Sequence, residues 1–281
     1  NWKIISKELL LNNTGTVKFF ANGVSFKERL LGSAEVEIEI ADQFFNFTKF
    51  NIGLPGISII QGNGQLEIND EFPQFNGQVY ASSENTRELF EWMGADLNIV
   101  PQGRLNNFEY TGLIRITPNV LQAYNFNSII DSTTINGSLG VALQRRTAFS
   151  ADINVDRLNF DSYILSDQLI DYINDTSISI LESFDTNINF SINELTLFGQ
   201  NINNMKVDLG LLDGVLAARE ISIQDIAGTQ ATFTGIASDF SNNMTGTGIV
   251  NIYSDDPRKL FQYSNVSFIE SSANLGALIF N

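Results

Sequence analysis

Apolar and polar residues alternate along much of this chain. Glu35-Val36-Glu37-Ile38-Glu39-Ile40 alternates strictly, as a strand with one wet and one apolar face does. Ala151-Asp152-Ile153-Asn154-Val155-Asp156 keeps the same rhythm, and so do Asn187-Ile188-Asn189-Phe190-Ser191-Ile192, Leu195-Thr196-Leu197 and Lys206-Val207-Asp208-Leu209. Turn signals stand between such runs at Asn22-Gly23, Leu54-Pro55-Gly56, Asn136-Gly137 and Asp213-Gly214,. Many short strands joined by such turns predict antiparallel β structure.

Helical signals are few and short. Ser83 is the expected N-cap of a helix over 84–93 that stops at Gly94, and Ser254 opens a similar piece running to about Tyr263 with Pro257 in its first turn,. Pro118 to Tyr124 reads as another helical turn or two. Ser166 to Asn174 sets Leu169, Ile170 and Ile173 on one side, the mark of a short amphipathic helix or an ordered crossover,.

An internal repeat organises these elements. Shifting the sequence by 171 positions lays 24–90 on 195–261 without a gap. Val36, Ile38 and Ile40 then meet Val207, Leu209 and Leu211, while Phe50 and Ile52 meet Ile221 and Ile223. Gly64 meets Gly235, Gly77 meets Gly248, and Ser83, Arg87, Leu89 and Phe90 meet Ser254, Arg258, Leu260 and Phe261. Alternation alone would match apolar positions by chance, but not the glycines and the Arg-x-Leu-Phe as well. The expected organisation is a first β repeat over 1–98, a connecting β segment with short helices over 99–178, and a second repeat over 179–281. A repeat that runs on into its copy suggests stacking. The expected fold is therefore mainly β: an elongated, curved antiparallel sheet, groove-like, with internal duplication and a few short helices.

Composition narrows the function. The formal net charge is −16, from 16 Lys plus Arg against 32 Asp plus Glu, which opposes both nucleic-acid phosphates and anionic lipid headgroups. With no His and no Cys, Ser-His-Asp triads, Cys-His pairs, disulfides and His- or Cys-ligated metals are excluded. No Gly-Lys dipeptide exists to build a phosphate loop, and no Lys follows a Ser by three positions,. The acids mostly occupy the wet positions of strands, as Glu35, Glu37 and Glu39 do, while Asp255-Asp256 and Asn69-Asp70-Glu71 fit turn chemistry better than a calcium loop,. These readings predict no enzyme, no cofactor and no metal. There are 22 Phe against 7 Tyr and 2 Trp. Phe44, Phe45, Phe47 and Phe50 crowd one strand, which fits either an ordinary β core or an apolar face left partly uncovered by so few helices.

Four segments resemble a known family. Asn154-Val-Asp-Arg-Leu-Asn-Phe-Asp-Ser-Tyr163 resembles the L-x-L-D-x-Y signature of AsmA-like bacterial proteins, with Phe160 replacing the second Leu. Phe184 to Gly199 is similar to their strand pair leading into a Gly turn, Leu209 to Leu216 to their Asp-Gly hairpin, and Glu88 to Gly94 to their short helix ending in Gly. The resemblance implies the periplasmic part of a bacterial envelope protein attached to the inner membrane. Such proteins carry phospholipid along an apolar β groove or help outer-membrane assembly, with phospholipid acyl chains and other envelope proteins as partners. The family's N-terminal membrane helix is absent from the sequence, so the anchor is expected outside this fragment.

On that reading Val36, Ile38, Ile40, Val207, Leu209, Leu211, Ile221 and Ile223 form the floor of a lipid groove, and acidic outer positions keep the edges soluble. The structural alternative is a closed β scaffold or adhesin-like spacer that binds no lipid. A carbohydrate-active β enzyme would need two carboxylates facing each other about 5 to 9.5 Å apart in a cleft.

Overall fold

The computed structural model describes residues 14–23, 25–26, 29–41, 44–68, 72–164, 178–241, 243–255 and 278–280. The chain is mainly β and divides into two compact units, residues 1–98 with 102–143 and residues 99–101 with 144–281. Strands of the expected connecting segment 99–178 thus fall to both units.

In the first unit an open, curved antiparallel sheet contains β1 (Gly15–Ala21), β4 (Ala34–Ala41), β5 (Phe44–Leu54), β6 (Ser58–Ile68), β7 (Pro73–Ser83), β8 (Phe108–Ile116), β9 (Val120–Ile130) and β10 (Thr133–Ala142), in that spatial order. A two-residue ribbon of β2 (Ser25–Phe26) and β3 (Arg29–Leu30) sits between β1 and β4 in sequence. One helix, α1 (Thr86–Met93), follows β7. The second unit orders β11 (Thr147–Asn159), β12 (Phe184–Leu197), β13 (Gln200–Leu212), β14 (Val215–Ile226), β15 (Thr229–Ser238), β16 (Thr245–Ser254) and β17 (Leu278–Phe280). Here β11 and β12 pair in parallel across the crossover that holds short 3₁₀ turns at Phe160–Ser162 and Ile178–Glu182, and every later pairing is antiparallel.

The duplication extends to details that alternation does not require. The extra residue of a β-bulge stands between β4 and β5 at Thr48 and between β13 and β14 at Arg219, at equivalent positions. Both bulge side chains reach back to the neighbouring strand: Thr48 Oγ1 donates to the Glu37 carbonyl at 3.3 Å, and Arg219 pairs with Asp208. The hairpins after β5 and β14 turn through left-handed pairs, Gly56-Ile57 and Ala227-Gly228. Ser58 and Ser83 meet in a buried 2.8 Å hydrogen bond, and their counterparts Thr229 and Ser254 do the same at 2.8 Å. Gly64 pairs with Gly77, and Gly235 with Gly248.

The bulge also settles the Phe-rich strand. Val36 faces Phe50 and Ile38 faces Phe47, so two steps along β4 match three along β5. An extra residue re-phases a strand, and Phe45, Phe47 and Phe50 consequently share the apolar face although their spacing is uneven. Phe44 lies on the other face.

Several predicted elements are corrected. Helix α1 is capped by Asn85, whose side chain accepts from Glu88 N–H, and not by Ser83, whose hydroxyl is engaged in the buried pair. Gly94 ends the helix in the left-handed conformation at φ 99°, as a C-terminal glycine does. Residues 118–124 are not helical: a tight turn at Thr117, with the Val120 N–H donating to Thr117 Oγ1 at 3.0 Å, leads straight into β9. Asn136-Gly137 lies inside β10 at a register irregularity rather than in a turn. Phe184 to Leu197 is one strand, not a pair, and it does end in a Gly turn at Phe198-Gly199. The predicted helical segments 166–174 and 256–263 lie outside the described residues.

Candidate functional site

Residues directly opposite across a ladder share a face, so the registers assign one. On β4, Val36 and Ile38 lie between Phe19 and Val17 of β1 and Phe50 and Phe47 of β5, and Ile40 stands opposite Phe45. The same face continues through Leu66, Phe75 and Ile116 in one row and through Val79 in the next. In the second unit Val207 lies between Phe190 and Ile221, Leu209 between Ile188 and Ala218, and Ile223 between Met205 and Ala231. Each group of predicted floor residues therefore falls on the apolar face of its own sheet, three in one unit and five in the other. Seven of the eight are half-buried; Leu211 is 1% exposed and is a packing residue.

Among the described residues the sheets are those of the two units and the two-residue β2–β3 ribbon, and the elements other than strands are α1 and short turns. In the first unit burial is deep at the strand ends under α1, where Thr86, Leu89 and Leu105 are buried beside the Ser58–Ser83 pair. Towards the edge strand it is shallow, with Val17 49% and Phe19 56% exposed. In the second unit the buried stripe runs through Ile153 and Val155 of β11, Ile192 and Leu195 of β12, and Ile202 of β13.

Two features of the apolar face were not singled out from the sequence. Aromatic rings cover the facing glycine pairs: a Cβ on Gly64 would meet the Phe75 ring at 2.5 Å, and one on Gly248 would meet the Phe233 ring at 2.6 Å. Tyr110 is the other feature. Its ring lies 5.7 Å from that of Phe126, its hydroxyl is buried over Gly112 with no hydrogen-bond partner, and burial raises its pKa. The strict alternation Phe108-Glu-Tyr-Thr-Gly112 carried the signal for its direction, though not for the missing partner.

The opposite face of the first unit is mostly polar. Lys18 pairs with Glu37 at 3.0 Å and Lys49 with Glu35 at 2.7 Å. Two hollows open on this face of the first unit. One of about 760 Å³ is lined among others by Glu39, Asn46, Gln65, Asn76 and Tyr124, and one of about 340 Å³ by Lys49, Gln61, Tyr80 and Thr111. In the second unit a hollow of about 750 Å³ is lined by Asn193, Glu194, Asn203, Asn204, Gln224, Asp225 and Gln230.

A charged cluster closes one end of the second unit. Arg146 pairs with Asp185 at 2.5 Å and donates to the carbonyls of Glu182 and Phe184. Burial acts to raise the Asp185 pKa, but the Arg146 guanidinium and the Asp213 N–H hold it below the usual carboxylate value. The Glu182 carboxylate accepts from the Ser241 hydroxyl and N–H, and these bonds lower its pKa. At the other end Asp161, within the Asn154–Tyr163 segment, accepts from the Phe198 and Gly199 N–H groups at 2.7 Å each. These carboxylates tie loops together.

Among the described residues no three His, Cys, Asp or Glu side chains gather as a metal site, and no helix is long and apolar enough to cross a membrane. Comparison of the chain with protein-family models, with curated proteins and with solved structures finds no match.

Proposed function

We propose that this chain is a non-enzymatic, lipid-handling part of a bacterial envelope protein of the AsmA-like kind. In that reading it lies in the periplasm, is attached to the inner membrane through a segment outside this sequence, and serves phospholipid transport or outer-membrane assembly. The observation that supports it best is the apolar face of each sheet, whose residues are largely half-buried or, as at Val17 and Phe19, exposed. A sheet with one apolar face must curl, pack on another layer or bind something apolar. Acyl chains suit such a surface because each methylene removed from water contributes about 0.8 kcal/mol. The acidic surface does not oppose this, since the contact is made by chains rather than by anionic headgroups. Asp161 and the hairpin at Asp213-Gly214 add weaker support: each gives a structural role to a residue of the segments that resemble the family.

Native mass spectrometry of the chain expressed in a bacterial periplasm, followed by lipid extraction, tests the proposal. Phospholipid should co-purify, and Ile38→Asp together with Leu209→Asp should remove it while the far-ultraviolet circular dichroism stays that of a folded β protein. A folded chain without lipid in the unsubstituted form would replace this reading with the closed scaffold.

A further inference from the structure

The polar face of the first unit holds a cluster that its fold does not need. Asn46, Gln61, Asn63, Gln65, Asn76 and Gln78 line the two hollows there, which share Asn63 and Gln78. They lie in cross-strand rows: Asn46 beside Gln65, Gln65 beside Asn76, and Asn63 beside Gln78. Among the described residues none of these six amides makes a side-chain hydrogen bond. Each therefore offers two N–H donors and a carbonyl acceptor to whatever enters.

The second unit supplies an internal control. At the positions equivalent to Asn46, Gln61, Asn63, Gln65, Asn76 and Gln78 it carries Ala217, Thr232, Thr234, Ile236, Thr247 and Ile249, on strands whose bounds agree within one residue and that share the bulge. Thr and Ile suit strands, whereas Asn is depleted in them. The same strand framework thus forms with better strand formers at five of these six places, and the amides are there for another reason.

We infer that this amide-lined face of the first unit binds a neutral oligosaccharide. A sugar hydroxyl donates and accepts at once, which is the complement of an array of unspent amides. The larger hollow, at about 760 Å³, lies within the roughly 300–1,000 Å³ of ligand sites. Tyr124 lines the larger hollow and Tyr80 the smaller, aromatic side chains of the kind on which pyranose rings stack. Charge selects against acidic glycans and phosphorylated ligands: the larger hollow is lined by the Glu39 carboxylate on a chain of net charge −16, and the Lys49 ammonium at the smaller hollow is already paired with Glu35,. A single carboxylate at that hollow is too little for a divalent cation. The site lies on the face opposite the proposed lipid surface, so either reading can fail without the other.

Isothermal titration of the whole chain with cellohexaose, maltohexaose, mannohexaose and xylohexaose, and with hexagalacturonate as the acidic control, tests the inference. At least one neutral hexaose should bind and hexagalacturonate should not. Asn63→Thr with Gln78→Ile, the residues of the other copy, should weaken binding at least tenfold with an unchanged or higher melting temperature. Asn193→Ala, in the second unit's hollow, should leave binding unaltered. Failure of all four neutral hexaoses, equal binding of hexagalacturonate, or full affinity in the Thr/Ile variant would overturn it.

Discussion

At the scale of single residues, the two copies solve one problem with the same glycines and differently placed rings. Paired glycines leave a gap in a sheet face, and an aromatic side chain from the neighbouring position fills it. The ring comes from Phe75 on β7 in one unit and from Phe233 on β15 in the other. In the repeat alignment these positions meet Gly246 and Gly62, so the glycines could be read from the sequence while their covers could not. Gly64→Val, whose Cβ would meet the Phe75 ring at 2.5 Å and the Asn76 carbonyl at 2.6 Å, should destabilise by about 1–3 kcal/mol in urea unfolding. The buried hydroxyl pairs make a second expectation. Thr229→Val strands the buried Ser254 hydroxyl, at a cost of about 1–3 kcal/mol,, whereas Ser58→Ala should cost less, because the Ser83 hydroxyl still donates to the Gly56 carbonyl and accepts from the Asn85 N–H. Glu182 sets an acid response: its folded pKa is depressed by Ser241. Its contribution is therefore present above the unfolded value of about 4.3 and is lost as pH falls through the lower folded value. Glu182→Gln should remove that part of the acid destabilisation between about pH 5 and pH 3, read as melting temperature against pH.

At the scale of elements, strands with one wet face were legible and local exceptions were not. Glu35 to Ile40 and Ala151 to Asp156 alternate because one face meets water, and both are strands. Residues 118–124 read as helical because the signal around Pro118 does not distinguish a helix start from a turn into a strand, and β9 is decided by pairing with β8 and β10. The N-cap of α1 was misplaced by two residues for a similar reason. Ser83 has the right chemistry, but its hydroxyl is held by Ser58 across the ladder, and Asn85 takes the role. Asn85→Ala should therefore cost about 1 kcal/mol, visible in thermal unfolding. The bulges at Thr48 and Arg219 leave no mark in a simple alternation. They are recognisable only because Phe47 and Phe50, like Ala218 and Ile221, face the same way at odd spacing.

At the scale of the whole chain, the duplication read from glycines and alternation extends to a bulge, a left-handed hairpin turn and a buried hydroxyl pair at equivalent positions in 34–83 and 205–254. That the eight candidate floor residues lie on apolar faces could be read because register follows alternation once bulges are placed. The polar-face hollows could not, since curvature and cross-strand neighbours decide which amides gather. The central proposal is that the apolar faces carry acyl chains. The most direct measurement is crosslinking of the chain with a phosphatidylethanolamine bearing a photoactivatable diazirine in one acyl chain, followed by peptide mass spectrometry. The account predicts adducts on Val36, Ile38, Phe47, Phe50, Val207 and Ile221 and none on Asn63, Gln65 or Gln78. Adducts confined to the polar face, or a chain that takes up no label while folded, would contradict it.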